Sequence, residues 1–70
     1  MMEYKDYIGG NIILDENADI FHGEIINIRD VVTFQGRSIN ELRQALRKSV
    51  DIYLKFYAEY NKSPDKPFSS

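Results

Sequence analysis

Asp15, Asn17 and Asp19 stand at alternate positions in the run Asp15-Glu16-Asn17-Ala18-Asp19. Oxygen-bearing side chains at that spacing open a calcium loop of the EF-hand type. Such a loop needs glycine at its sixth position and a bidentate glutamate at its twelfth. This chain has Ile20 and Ile26 there, and no helix precedes the run. A solvated hairpin turn explains the same residues, because short Asx side chains bond their own backbone and tolerate left-handed conformations. His22 is the single histidine, so a two-histidine metal site cannot form. General acid–base work would need a second group within hydrogen-bonding reach and a cleft around both. Glu24, two residues on along a strand, is near enough only for a surface pair.

The remaining candidates are spent elsewhere. Ser38 belongs to a helix cap, and Ser49 falls near the apolar boundary of the helix that follows. Gly9-Gly10 lacks the lysine and the succeeding helix of a phosphate-cradling loop. The chain has no cysteine, which removes disulfides, thiolate zinc sites and thiol nucleophiles. The residues therefore lead to no catalytic set, no metal and no cofactor, and the expected function is binding. Asp15, Glu16, Asp19, His22 and Glu24 are the residues expected to contact a partner.

Charge supports a protein partner over nucleic acid. Residues 1–30 carry seven acids against Lys5 and Arg29, leaving −5, while residues 31–70 carry four acids against seven bases, leaving +3. An acidic half attracts a basic partner and speeds the encounter. Direct nucleic-acid binding is not expected, because the sequence pI is about 5.2 and the bases are spread along one element. No apolar run approaches the roughly 20 residues that span a bilayer. Glu3, Lys5 and Asp6 break up the start of the chain, which does not read as a signal peptide. A cytoplasmic domain is the expectation, since small secreted domains depend on disulfides.

Several elements must position these residues. Residues 7–14 read as a strand, with Ile8, Gly10, Ile12 and Leu14 sharing a face by alternation. Its two glycines suggest a bulge or a close approach by another backbone. After the polar turn, residues 20–26 form a second strand, with Phe21, Gly23 and Ile25 on one face and Ile20, His22, Glu24 and Ile26 on the other. Asn27-Ile28-Arg29-Asp30 is a connection, and the β-branched and aromatic run 31–35 is a third strand. Connections this short make the sheet an antiparallel meander.

Gly36 ends the third strand, and Ser38-Ile39-Asn40-Glu41 then fits a capping box. The Ser38 hydroxyl accepts from the Glu41 amide, and the Glu41 carboxylate reaches back to the Ser38 amide. From there to about residue 61 no proline or glycine occurs. Ile39, Leu42, Leu46, Val50, Tyr53, Tyr57 and Tyr60 fall in one apolar stripe, which Ala45, Ile52 and Phe56 widen on one flank. This is an amphipathic helix of about six turns packed on a sheet. The widened stripe exceeds what one small sheet face covers, and aromatics beyond the needs of a core are enriched at interfaces. Partial exposure into a dimer or partner interface follows, with a homo-oligomer expected. Pro64 ends the helix, so the domain is expected to span 1–62, with 63–70 as an exit segment.

The pattern as a whole resembles the HicB family of antitoxins. The resemblance rests on Phe21-His22-Gly23-Glu24-Ile25 and on Ile28-Arg29-Asp30-Val31-Val32-Thr33-Phe34-Gln35-Gly36. It continues through Ser38-Ile39-Asn40-Glu41-Leu42, Ser49-Val50-Asp51-Ile52-Tyr53-Leu54 and Pro64-Asp65-Lys66-Pro67-Phe68, and so covers nearly all of the chain. Other branches of the family carry a Pro-Asp-Leu-Pro-Gly-type connection where this chain has Ile28-Arg29-Asp30-Val31. The resemblance implies a partial RNase H-like α+β fold, a three-stranded meander followed by one helix, without a nuclease's carboxylates. It implies a partner, a small basic mRNA-cleaving toxin of the HicA type, which the antitoxin blocks by binding. It also implies a C-terminal ribbon-helix-helix or helix-turn-helix domain for promoter DNA, expected to begin just after Phe68 and therefore outside these 70 residues. Two rivals remain: a dimerisation or ligand-sensing domain of a small regulator, and an RNase H-like nuclease. The nuclease needs clustered carboxylates, whereas strand parity leaves Glu24 alone on its face among Ile20, His22 and Ile26.

Overall fold

The computed structural model describes residues 2–60; the proposed exit segment 63–70 lies outside them. The elements are β1 (Met2–Tyr4), β2 (Tyr7–Asp15), β3 (Ile20–Ile25), β4 (Thr33–Gly36) and α1 (Ile39–Glu59). The strands pair antiparallel in chain order. The α+β meander with one long helix is thus the architecture, with four strands where the sequence suggests three.

The added strand is β1. Lys5 and Asp6 join it to β2 with φ of 50° and 70°, and Tyr4 lies opposite Tyr7. Two residues of positive φ make a type I′ hairpin turn, which selects Asn-Gly in most sequences. Lys-Asp carries no such mark, and three residues give no periodicity to read. Asp51 of α1 holds the strand down. Lys5 Nζ lies 2.9 Å from Asp51 Oδ1, and the Tyr4 hydroxyl donates to Oδ2 at 3.2 Å.

Alternation along β2 holds only as far as Gly10. Gly9 opposes Ile25 and Gly10 opposes Glu24, but the next pairs are Ile13 with His22 and Leu14 with Phe21, so the register slips between Gly10 and Ile13. Asn11 lies within that slip at φ 51°, a value asparagine tolerates better than most residues. The bulge moves Ile12 and Leu14 to the face of Gly9 and Ile25. Ile8, Gly10, Ile12 and Leu14 therefore do not share one face. Gly9 does mark a close approach, but a ring makes it. A Cβ at Gly9 would stand 2.7 Å from Cζ of Phe34, and one at Gly23 would stand 2.8 Å from the same atom.

β3 keeps the expected split of faces and ends at Ile25. β4 begins two residues later than expected, leaving Val31 85% exposed. The connection 26–32 is anchored by the buried Asn27. Its Nδ2 donates to the Asp6 carbonyl at 3.0 Å, and its Oδ1 accepts from the Ile8 amide at 2.9 Å. A buried carboxamide is tolerated only when paired in this way.

α1 starts as its cap dictates. Ser38 Oγ accepts from the Glu41 amide at 3.1 Å. The reciprocal bond differs from the expected one, because Glu41 Oε2 accepts from the Arg37 amide at 2.8 Å and not from that of Ser38. Leu42, Leu46, Val50 and Tyr53 are the buried residues of the helix. With Tyr7, Ile25, Ile28 and Phe34 they form the core. Leu42, Leu46 and Val50 are fully enclosed, each contributing roughly 1.5–3 kcal/mol of transfer free energy. Ile39, expected in the stripe, stays half-exposed at the helix start. Gly36 lets the helix begin this close to the sheet, since a Cβ there would meet the Leu42 amide nitrogen at 2.6 Å.

Candidate functional site

The five residues expected to meet a partner fall into two neighbouring groups. Asp15 closes β2, and Glu16 and Asp19 lie in the turn that follows. Asp15 Oδ1 accepts from the amides of Asn17 and Ala18 at 3.1 and 3.2 Å, and Asp19 takes φ 56°. Asp15 thus shapes the hairpin end, while Glu16 and Asp19 are exposed on it. That end stands beyond β4, whose last residue Gly36 opposes Phe21. It is a projecting tip with three acids and no base between residues 15 and 20.

His22 and Glu24 lie on the sheet face turned away from α1. Pairing sets His22 between Ile13 and Gln35, and Glu24 between Gly10 and Thr33. The expected same-face pair of His22 with Glu24 is not the bond that forms. Asn11 Nδ2 donates to Glu24 Oε1 at 2.5 Å instead, because the bulge swings Asn11 towards it. Exposed Ile13 and Ile26 share this face, so acids and aliphatics are interleaved on it. Among the described residues, no three His, Asp or Glu side chains converge on a point that could hold a metal ion. No helix among them is long and apolar enough to cross a membrane.

Two further features are not visible in the residue pattern. Asp30 Oδ2 accepts from the hydroxyls of Tyr53 at 2.5 Å and Tyr57 at 2.9 Å. Those hydrogen bonds, Tyr53 first, hold the Asp30 carboxyl below its usual range. The rings pack edge-on, Tyr53 against Tyr57 at 4.9 Å and against Tyr7 at 6.0 Å. The i, i+4 spacing of the tyrosines was the available signal, but nothing in the sequence placed Asp30 between them. The second feature is the helix flank. Val32, Ser49, Ile52, Tyr53 and Phe56 line an apolar groove of about 300 Å³. Ile52 and Phe56, read from the sequence as widening the stripe, are 58% and 51% exposed.

Acidic tip, interleaved outer face and apolar groove are surfaces for contact, and none is a cleft around reactive groups. Comparison with protein-family models, curated proteins and solved structures finds no match for this chain.

Proposed function

We propose that this chain is an antitoxin of the HicB kind, neutralising a small basic mRNA-cleaving toxin of the HicA type by direct, stoichiometric binding. The observation that carries the reading is the run Ile28-Arg29-Asp30-Val31-Val32-Thr33-Phe34-Gln35-Gly36, which resembles the family at the step from sheet to capped helix. The acidic hairpin tip supports it, because a projecting cluster of like charges steers a basic partner. Asp15, Glu16, Asp19, His22 and Glu24 are the proposed contacts, in a cytoplasmic setting. The fold is read as a partial RNase H-like unit that binds and does not cut.

Coexpression with the cognate toxin of the HicA type is the test. Growth should be rescued and the two proteins should purify together. Replacing Glu16 by lysine and Asp19 by asparagine together should weaken capture sharply at low salt while leaving the fold intact, since both side chains are exposed and asparagine tolerates the φ of 56° at position 19. If neither rescue nor co-purification occurs, the reading is wrong.

The alternative is a dimerisation or ligand-sensing domain of a small transcriptional regulator. The half-exposed Ile52 and Phe56 beside the groove favour its dimerisation form. It is distinguished by a chain that self-associates and shows no affinity for such a toxin.

A further inference from the structure

The flank of α1 turned towards β1 carries Arg43 and Arg47, one helical turn apart and both exposed. With Met2, Glu3 and Leu46 they line a cleft of about 290 Å³. Nearby ionic groups are already matched to each other. Asp51 engages Lys5 with one oxygen and the Tyr4 hydroxyl with the other. Among the described residues, neither guanidinium has a carboxylate within salt-bridge distance. Arg47 lies 6.0 Å from the centre of the Tyr4 ring, a cation–π contact that uses none of its N–H donors.

Glu3 adds a backbone donor. Met2 and Tyr4 pack against the core, so alternation turns the Glu3 side chain to the outer sheet face and leaves its backbone at the cleft. Ile8 is its partner across the hairpin. Ile8 donates its own amide to Asn27 Oδ1, and its carbonyl accepts from the Ile26 amide, both at 2.9 Å. The Glu3 N–H therefore has no acceptor on β2 and points off the free edge of the sheet.

We propose that this cleft binds the phosphoryl group of a small phosphate monoester. Such a group presents three terminal oxygens and a charge of about −1.5 to −2 at neutral pH. Two guanidiniums and one backbone N–H supply a donor for each oxygen, and the two positive charges match it. A carboxylate, with two oxygens and one charge, is satisfied by a single arginine. The cleft is larger than a phosphoryl group, and Met2 and Leu46 give it an apolar wall for the carbon chain of the ester. It lies on the flank of α1 opposite the groove at Ile52 and Phe56, and away from the acidic tip. The inference gives the ligand-sensing form of the alternative a location, and it stands whether or not the chain binds a toxin.

Titration of the unaltered chain with ribose 5-phosphate is the test, followed by nuclear magnetic resonance of the Glu3 amide and the Nε–H groups of Arg43 and Arg47. These signals should shift together and saturate. Arg43→Gln and Arg47→Gln alter exposed side chains outside the core, and each should weaken binding about tenfold or more. Lys48→Gln removes the same charge from an exposed side chain of α1 that does not line the cleft, and should leave binding unchanged. Inorganic phosphate should compete, and acetate should not. Absence of saturation overturns the proposal, as does acetate binding as tightly as the ester. An equal loss in Lys48→Gln also overturns it, since the attraction would then be to net charge alone. So does a 5′-phosphorylated RNA strand that binds far more tightly than ribose 5-phosphate, because the ligand would then be a nucleic acid. Should an arginine variant unfold, competition in the unaltered chain decides.

Discussion

Asp30 lies in the connection 26–32, in sequence far from the tyrosines it binds. One carboxylate oxygen accepts from both Tyr53 and Tyr57, so a single charged atom ties the connection to the second half of α1. Both donors favour the ionised form, and the folded-state pKa is depressed. Depression of a carboxyl pKa fixes the sign of its pH effect. The stabilisation is complete above the unfolded-state value, about 3.9 for aspartate, and is lost as pH falls through the lower folded-state value. Asp30→Asn keeps an acceptor of the same shape but removes the charge. Urea unfolding should find the variant less stable than the unaltered chain at neutral pH, with the difference closing in strong acid. Asp51 is depressed as well, through its hydrogen bond to Lys5, so it is the difference between the two proteins that isolates Asp30. A difference independent of pH would mean that the carboxylate charge is not what the tyrosines hold.

At the scale of elements, the irregular joints matter more than the regular stretches. The type I′ turn at Lys5-Asp6 places two non-glycine residues in the left-handed region, which costs an ordinary L-residue roughly 1–2 kcal/mol and aspartate somewhat less. Asp6→Gly removes that strain at one position and adds back some chain entropy in the unfolded state. Its backbone carbonyl, the acceptor for Asn27, is unchanged. Thermal or urea unfolding should show a gain of up to about 1 kcal/mol, and a loss would mean that the Asp6 side chain has a stabilising role. This turn also shows where the sequence falls silent. The helix was legible because its cap and its stripe obey a period that packing then uses: Leu42, Leu46, Val50 and Tyr53 are the buried set. β1 was not legible, because its turn lacks Asn-Gly and its strand is too short for a period. In β2 the alternation misled beyond Gly10, since a bulge adds a residue without changing composition. Asn11, a residue that tolerates positive φ, was the one available clue. At the candidate site, the turn residues and the outer-face position of His22 and Glu24 could be read from strand parity. The Asn11–Glu24 bond could not, because it exists only through the bulge, and Asp30 required a contact across 23 and 27 residues of chain.

For the whole molecule, size sets the problem. Seventy residues bury a small share of their surface and leave a thin margin of stability. Here much apolar area stays outside the core: Ile52, Phe56, Tyr60 and Val31 at the β4 side, and Ile13 and Ile26 on the outer sheet face. If two chains close over the β4 side, association adds to the stability of the folded chain, and that stability depends on concentration by mass action. A tenfold rise in concentration is worth about 1.4 kcal/mol per dimer, or about 0.7 kcal/mol per chain. For a domain of this length that corresponds to a rise of about 3–6 °C in Tm. Melting curves of the unaltered chain should move upward by that amount per decade of concentration, whereas those of Phe56→Glu should superimpose. The opposite sheet face provides the control. Ile13→Thr reduces its apolar area without touching β4 or the helix ridge, and should leave the concentration dependence in place. Loss of the dependence in Ile13→Thr alone would place the contact on the sheet face that carries His22 and Glu24, where the antitoxin reading puts the toxin. Loss in Phe56→Glu alone would leave that face and the acidic tip open for a partner while the two chains are joined.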